Sequence, residues 1–157
     1  MVGQFAKGEK YQTIKLDSYA EFAPLICYEI IFSGQIVRKQ YKPKWAVVLT
    51  NDGWYGISAG PYQHLVAAQM RAVEEGISVV RSANSGISAV INPYGIITSQ
   101  IGLSERGYID DVVKISMSHK TLFGEYGNMA PLCLAGLLLL LSAVINKYLG
   151  IVKRNLI

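Results

Sequence analysis

From Met129 to Ile145 (MAPLCLAGLLLLLSAVI) no residue is charged, and Gly127, Asn128 and Asn146 extend the run to about the length that crosses a bilayer. Leu137 to Leu141 is apolar on every helical face, which leaves no polar stripe for water. The block therefore predicts a membrane-spanning helix rather than a buried core helix. Tyr126 and Tyr148 stand at its ends, where amphipathic rings suit the membrane interface, and Lys147, Lys153 and Arg154 follow closely. By the positive-inside rule the C-terminus then lies in the cytoplasm and the preceding domain faces outward. What remains for a folded domain is residues 1–126, with a span over 127–149 and a short basic tail over 150–157.

That first region reads as alternating strands and helices. Tyr11 to Leu16 and Glu21 to Ile26 have strand character and are joined by a turn at Asp17-Ser18. Ile30 to Tyr41 reads as a helix ending before Pro43, and Trp45 to Thr50 (WAVVLT) as a strand covered on both faces. A glycine-dense loop, Asn51 to Gly60, leads to Pro61 at the first turn of a helix that runs to Glu75, with Gly76 as its C-cap. Strands follow at Ser78–Ser82, Ser88–Ile91 and Ile96–Ile101, with a turn at Asn92-Pro93-Tyr94-Gly95, and a last strand is expected over Gly107–Ile115. Strands interleaved with helices predict an α/β fold, and the hairpins predict a sheet that is not purely parallel.

The chain's 157 residues carry a formal charge of +4, drawn partly from the tail and partly from Arg38, Lys39, Lys42 and Lys44. No nucleic-acid motif accompanies that charge, so nucleic acid is not an expected partner. Met1 to Lys10 is polar and has no apolar signal segment. Of two cysteines, Cys133 lies inside the span, so a disulfide scaffold is excluded. No metal-ligand cluster is present in the sequence.

Cys27 is the candidate nucleophile. It sits in Ala23-Pro24-Leu25-Ile26-Cys27-Tyr28-Glu29, where an apolar strand gives way to a helix, and free N–H groups at a helix start favour a thiolate. A buried structural cysteine is the competing reading.

Cys27-Tyr28-Glu29, Asn51-Asp52-Gly53-Trp54-Tyr55-Gly56, Gly60-Pro61-Tyr62-Gln63-His64, Met70-Arg71-Ala72 and Arg81-Ser82-Ala83-Asn84-Ser85-Gly86-Ile87-Ser88 occur in that order before the apolar block. In order and spacing the series resembles the nitrilase (carbon-nitrogen hydrolase) superfamily, and within it the bacterial apolipoprotein N-acyltransferases. The resemblance implies an α/β fold, a partial nitrilase-type α-β-β-α sandwich followed by one C-terminal transmembrane helix. It also implies a Glu-Lys-Cys triad at the outer side of the bacterial cytoplasmic (inner) membrane. The implied reaction moves an acyl chain from a phospholipid to the cysteine, and then to the N-terminal amine of a diacylated lipoprotein, with no cofactor.

On that resemblance Cys27 is the nucleophile, the Tyr28 backbone N–H belongs to the oxyanion site, and Glu29 supports them or merely complements the helix start. Trp54 and Tyr55 are expected to touch lipid or else to anchor the core. His64 is expected to be structural, because the family's base is a glutamate. Asn51, Asp52, Arg71, Arg81 and Asn84 are expected as scaffold around the site.

The family's Glu and Lys lie before the cysteine, the lysine in the context Lys-x-His-Leu-Val-Pro-Phe-Gly-Glu. Lys7, Lys10, Lys15, Glu9 and Glu21 lack that context, and Phe5-Ala6-Lys7-Gly8 resembles the segment that follows the family's lysine loop. The expectation is a C-terminal portion, from a split or truncated gene, that is inactive alone and completed by a separate polypeptide. With the missing N-terminal helices supplied, its domain would face the periplasm. A non-catalytic membrane-anchored remnant and an amide hydrolase of the same superfamily are the alternatives.

Overall fold

The computed structural model describes residues 12–37 and 42–155. Five strands, β1 (Phe22–Ile26), β2 (Trp45–Asn51), β3 (Ser78–Asn84), β4 (Ser88–Ile91) and β5 (Ile97–Ile101), form one sheet in sequence order. The pairs β1–β2 and β2–β3 are parallel, while β3–β4 and β4–β5 are antiparallel. The mixed sheet follows from the connections: a parallel return needs a crossover such as α1 (Gly60–Glu75), whereas Asn84 to Ser88 and Asn92 to Ile96 are short enough to close hairpins.

Register puts Leu25 beside Val48 and Val48 beside Arg81, so these side chains share one face. Against that face α1 lays Leu65, Ala68 and Ala72, and they close a core with Leu25, Val48, Val79, Ala89 and Ile91. Burying a leucine such as Leu25 contributes roughly 1.5–3 kcal/mol. The sheet's other face carries Ile26 at 58% exposure and Leu49 at 50%, with Phe22, Pro24, Trp45, Val47 and Val80 half-buried. Pro61 opens α1, and Gly76 ends it in the left-handed region at φ 62, donating its N–H to Ala72 O.

After β5 the chain is irregular to α2 (Leu122–Tyr126), and α3 (Met129–Asn155) follows. Within α3, Met129–Leu149 is long and apolar enough to cross a membrane and none of it is buried against the rest of the chain. The fold is a mixed α/β sheet with one helical layer, followed by a single apolar helix of spanning length.

Three expected elements differ. The helix over Ile30–Tyr41 is replaced by a 3-10 helix at Cys27–Ile31 and turns beyond it; residues 38–41 lie outside the described residues. Ile31 O, which an α-helix would give to residue 35, instead accepts from Arg71 Nη1 at 2.7 Å, and Gly34 turns the chain at φ 69. The strand over Gly107–Ile115 does not form. There the Asp111 carboxylate takes Thr98 Oγ1 at 2.8 Å and Ser99 Oγ at 2.7 Å, and Lys114 O is taken by Ser78 Oγ, so side chains hold the segment where a ladder would. The strand at Tyr11–Leu16 reduces, among its described residues, to one antiparallel bridge between Ile14 and Phe22, and Tyr11 lies outside them.

Candidate active site

Parallel strands deliver their C-terminal ends to one edge of a sheet, and here three such ends meet. β1 ends at Ile26 and hands over to Cys27, β2 runs into a 3-10 turn at Asp52–Tyr55, and β3 ends at Asn84. Cys27 has φ 50. A side chain in that left-handed region costs roughly 1–3 kcal/mol, a strain that clusters where a turn must aim a group. The thiol is half-buried at the turn.

Behind it, Glu29 Oε2 accepts the Ile26 N–H at 2.7 Å. This is the returning half of a capping box, and it fixes the entry to the turn. The first N–H groups of a helix have no partner within it, so the 3-10 turn offers a donor at Tyr28.

The second layer is a buried polar cluster. Asp52 (1% exposed), His64 (3%) and Arg81 (2%) come from the β2 turn, α1 and β3. Arg81 Nη2 donates to Asp52 Oδ2, and Arg81 Nε donates to Ile87 O at 3.1 Å. His64 Nδ1 lies 3.0 Å from Asp52 Oδ1 and 3.2 Å from Arg81 Nη2. Arg81 can only donate and the carboxylate only accepts, so with Nδ1 protonated the histidine donates to Asp52 and Nε2 is left as a bare acceptor. Buried His64 Nε2 and Arg81 Nη1 have no hydrogen-bond partner among the described residues. A side chain at Gly86 would put its Cβ 2.7 Å from Asp52 Cβ, so the β3–β4 turn needs a glycine there.

Two tyrosine rings join this cluster to the cysteine. Tyr28 packs tilted on the His64 ring with centroids 5.7 Å apart, and Tyr55 packs edge-on at 6.0 Å. Burial, helped by a hydrogen bond with Tyr28 and by the negative charge of Asp52, pushes the Tyr55 phenol up to about 12.

Of the residues singled out from sequence, Cys27, Tyr28, Tyr55, Asp52, His64 and Arg81 converge. Asn51 Oδ1 caps the β2 turn by accepting Gly53 N–H at 3.0 Å and lies 3.5 Å from Asn84 Nδ2. Trp54 is 89% exposed and anchors no core. Arg71 shares the buried face of α1 with His64 but works elsewhere, bridging Ile31 O and the Glu74 carboxylate, the latter at 2.5 Å. Sequence reasoning placed Asp52, His64 and Arg81 as scaffold without joining them. Apolar periodicity carries no sign of contacts spaced so widely along the chain, and the available hint was a charged residue inside an otherwise small and apolar strand at Arg81.

Residues 3–119 match the family described as carbon-nitrogen hydrolase. The chain belongs to the carbon-nitrogen hydrolase family. Among curated relatives it is 41% identical over 139 residues to the apolipoprotein N-acyltransferase of Rhodopseudomonas palustris, covering 88% of this chain and 26% of that protein. The enzyme of the same name from Bradyrhizobium diazoefficiens is 42% identical over 140 residues, covering 89% of this chain and 26% of that protein. This carbon-nitrogen hydrolase chain thus spans about a quarter of the length of the curated relatives it matches. Among solved structures, a point mutant of the amidase from Nesterenkonia sp. AN1, bearing the acetamide moiety of fluoroacetamide on its active site cysteine, aligns at TM-score 0.50 and 18% identity over 64% of this chain and 40% of that one. The glutamine-dependent NAD+ synthetase from Acinetobacter baumannii aligns at TM-score 0.54 and 20% identity over 66% of this chain and 21% of that one. Both likenesses are of fold.

Proposed function

We propose that this chain is the C-terminal portion of an apolipoprotein N-acyltransferase, with Cys27 as its nucleophile. The observation that carries the reading is Cys27 held at φ 50 on a strand-to-helix turn, in a chain 41% identical to an enzyme of that name. The Cys27 thiolate attacks a phospholipid ester carbonyl. A C–S bond forms, the C–O bond breaks, and the lysophospholipid alkoxide leaves with a proton. The N-terminal amine of a diacylated lipoprotein then attacks the thioester, forming C–N, breaking C–S and losing a proton to a base. The Tyr28 N–H stabilises the oxyanion in both steps. Trp54 and Tyr55, on the loop beside the turn, contact the acyl donor.

Residues 1–126 form the C-terminal half of the family domain, 127–149 cross the bacterial inner membrane, and 150–157 are a cytoplasmic tail. The general base and the oxyanion cation come from outside these 157 residues, since Lys7, Lys10, Lys15, Glu9 and Glu21 lack the context of the family's Glu and Lys. The part that supplies them covers the open sheet face around Ile26 and Leu49, and with it the domain faces the periplasm.

Transfer of a labelled acyl chain from phospholipid to a diacylated lipopeptide tests this. Loss of one oxyanion donor costs about two to three orders of magnitude, and loss of acid-base catalysis roughly as much again, so the chain alone is expected to be silent. Co-expression with a polypeptide carrying the remaining part of a relative restores transfer, with a thioester mapped by mass spectrometry to Cys27 and absent from Cys27→Ala. A thioester on Cys133, or transfer that survives Cys27→Ala, overturns the assignment.

A further inference from the structure

We propose that His64, tethered by Asp52 and Arg81, is the positioning residue that sets the Tyr28 N–H for the oxyanion; the inference rests on the acyl-transfer reading above. The peptide joining Cys27 to Tyr28 carries that N–H, so whatever fixes Tyr28 fixes the donor's direction. Glu29 fixes the turn's entry only, through Ile26. Tyr28 is itself 51% exposed, and the described ring contact that holds it is with His64.

His64 is well suited to act as a fixed surface. Its ring is almost wholly buried, Nδ1 lies within hydrogen-bond distance of the Asp52–Arg81 pair, and Tyr55 packs on its edge. Asp52 follows the end of β2 and Arg81 lies midway along the neighbouring parallel strand β3, so the tether locks the imidazole to the sheet itself. A histidine serving only as filler needs neither a carboxylate nor a guanidinium out of water, and burying such groups costs several kcal/mol unless they meet in good geometry. An aromatic hydrocarbon would fill the space more cheaply. The polar triad supplies direction instead: small misplacements of a catalytic donor cost on the order of a hundredfold in rate.

Two reactions of the same thiol separate positioning from mere structure. Acylation of Cys27 by p-nitrophenyl octanoate passes through an oxyanion, and its good leaving group needs no acid from elsewhere. Alkylation by iodoacetamide forms no oxyanion. The full chain in detergent micelles is compared with His64→Phe, which keeps a ring without the tether, and with His64→Asn, which keeps a donor toward Asp52 without the ring, each checked by far-UV circular dichroism and thermal unfolding. In whichever variant retains the fold, acylation of Cys27, followed by p-nitrophenolate release and mass mapping, is expected to fall at least about tenfold while alkylation stays within about twofold. Equal losses in both reactions, loss of fold in both variants, or no loss in either reaction overturns the proposal by making His64 a structural residue or an idle one. The failures are distinguishable: if Cys27→Ala is acylated as fast as the parent, the thioester reading falls, whereas a normally acylated Cys27 in His64→Phe removes only the positioning role.

Discussion

The two faces of the sheet are built from the same strands and differ by a single step along each of them. On one face Leu25, Val48, Val79 and Ile91 are fully buried under α1, while on the other their neighbours Ile26 and Leu49 keep half or more of their surface exposed. Side chains alternate across a strand, so an apolar sequence on both parities specifies a layer on both sides. Only one such layer is present among the described residues. The strands are therefore written for a thicker domain than the described residues form, and among those residues the candidate site at their ends is supported from behind but open in front.

The comparison breaks most visibly at its polar centre. Asp52→Ala removes the partner of a buried guanidinium, and loss of one member of such a pair costs about 3–5 kcal/mol, enough to consume most of a small domain's stability. Thermal unfolding should register it as a large downward shift. A result within about 1 kcal/mol of the parent would mean that Arg81 reaches water. A paired substitution sharpens the contrast between the faces: Leu25→Ala should cost about 2–4 kcal/mol by denaturant unfolding, whereas Leu49→Ala should stay within about 0.5 kcal/mol. Comparable losses at both would mean that the second face is already covered, by another copy or by detergent.

The smallest expected effect is at the rim between the faces. Because the folded Tyr55 phenol is pushed up to about 12 from an ordinary value of 10.0, it holds its proton more tightly than the unfolded chain does. Its contribution is complete below about pH 10 and is lost as pH rises toward 12. Tyr55→Phe should flatten stability over that alkaline window alone. A spectrophotometric titration in which every tyrosine ionises together near the ordinary value would contradict it.

The sheet was legible because its signals are local. WAVVLT gives β2, Pro61 and Gly76 bracket α1, and Asn92 to Gly95 closes β4 onto β5. What could not be read was set by remote side chains bonding to backbone or to one another: Arg71 on Ile31 O, Ser78 on Lys114 O, and Asp111 on the hydroxyls of Thr98 and Ser99. Short windows of sequence do not contain those partners. The site divides in the same way. Cys27 was legible as a strand-to-helix thiol, but its positive φ and the union of Asp52, His64 and Arg81 exist only once β2, β3 and α1 are packed together.

Thr121 Oγ1 donates to Glu74 O and Met117 N–H donates to Gly76 O, so the segment leading into the apolar helix is buckled onto the last turn of α1. His64 stands near the other end of that same helix, about ten residues or 15 Å away at 1.5 Å per residue. A rod clamped at one end to the segment that leads into the apolar helix, and carrying the site's support at the other, is a gauge block. It fixes a working height for the thiol above the point where the chain leaves the domain. On the proposed acyl-transfer reading that height is a ruler for substrate, because an ester presented too close to that exit or too far from it never comes level with Cys27.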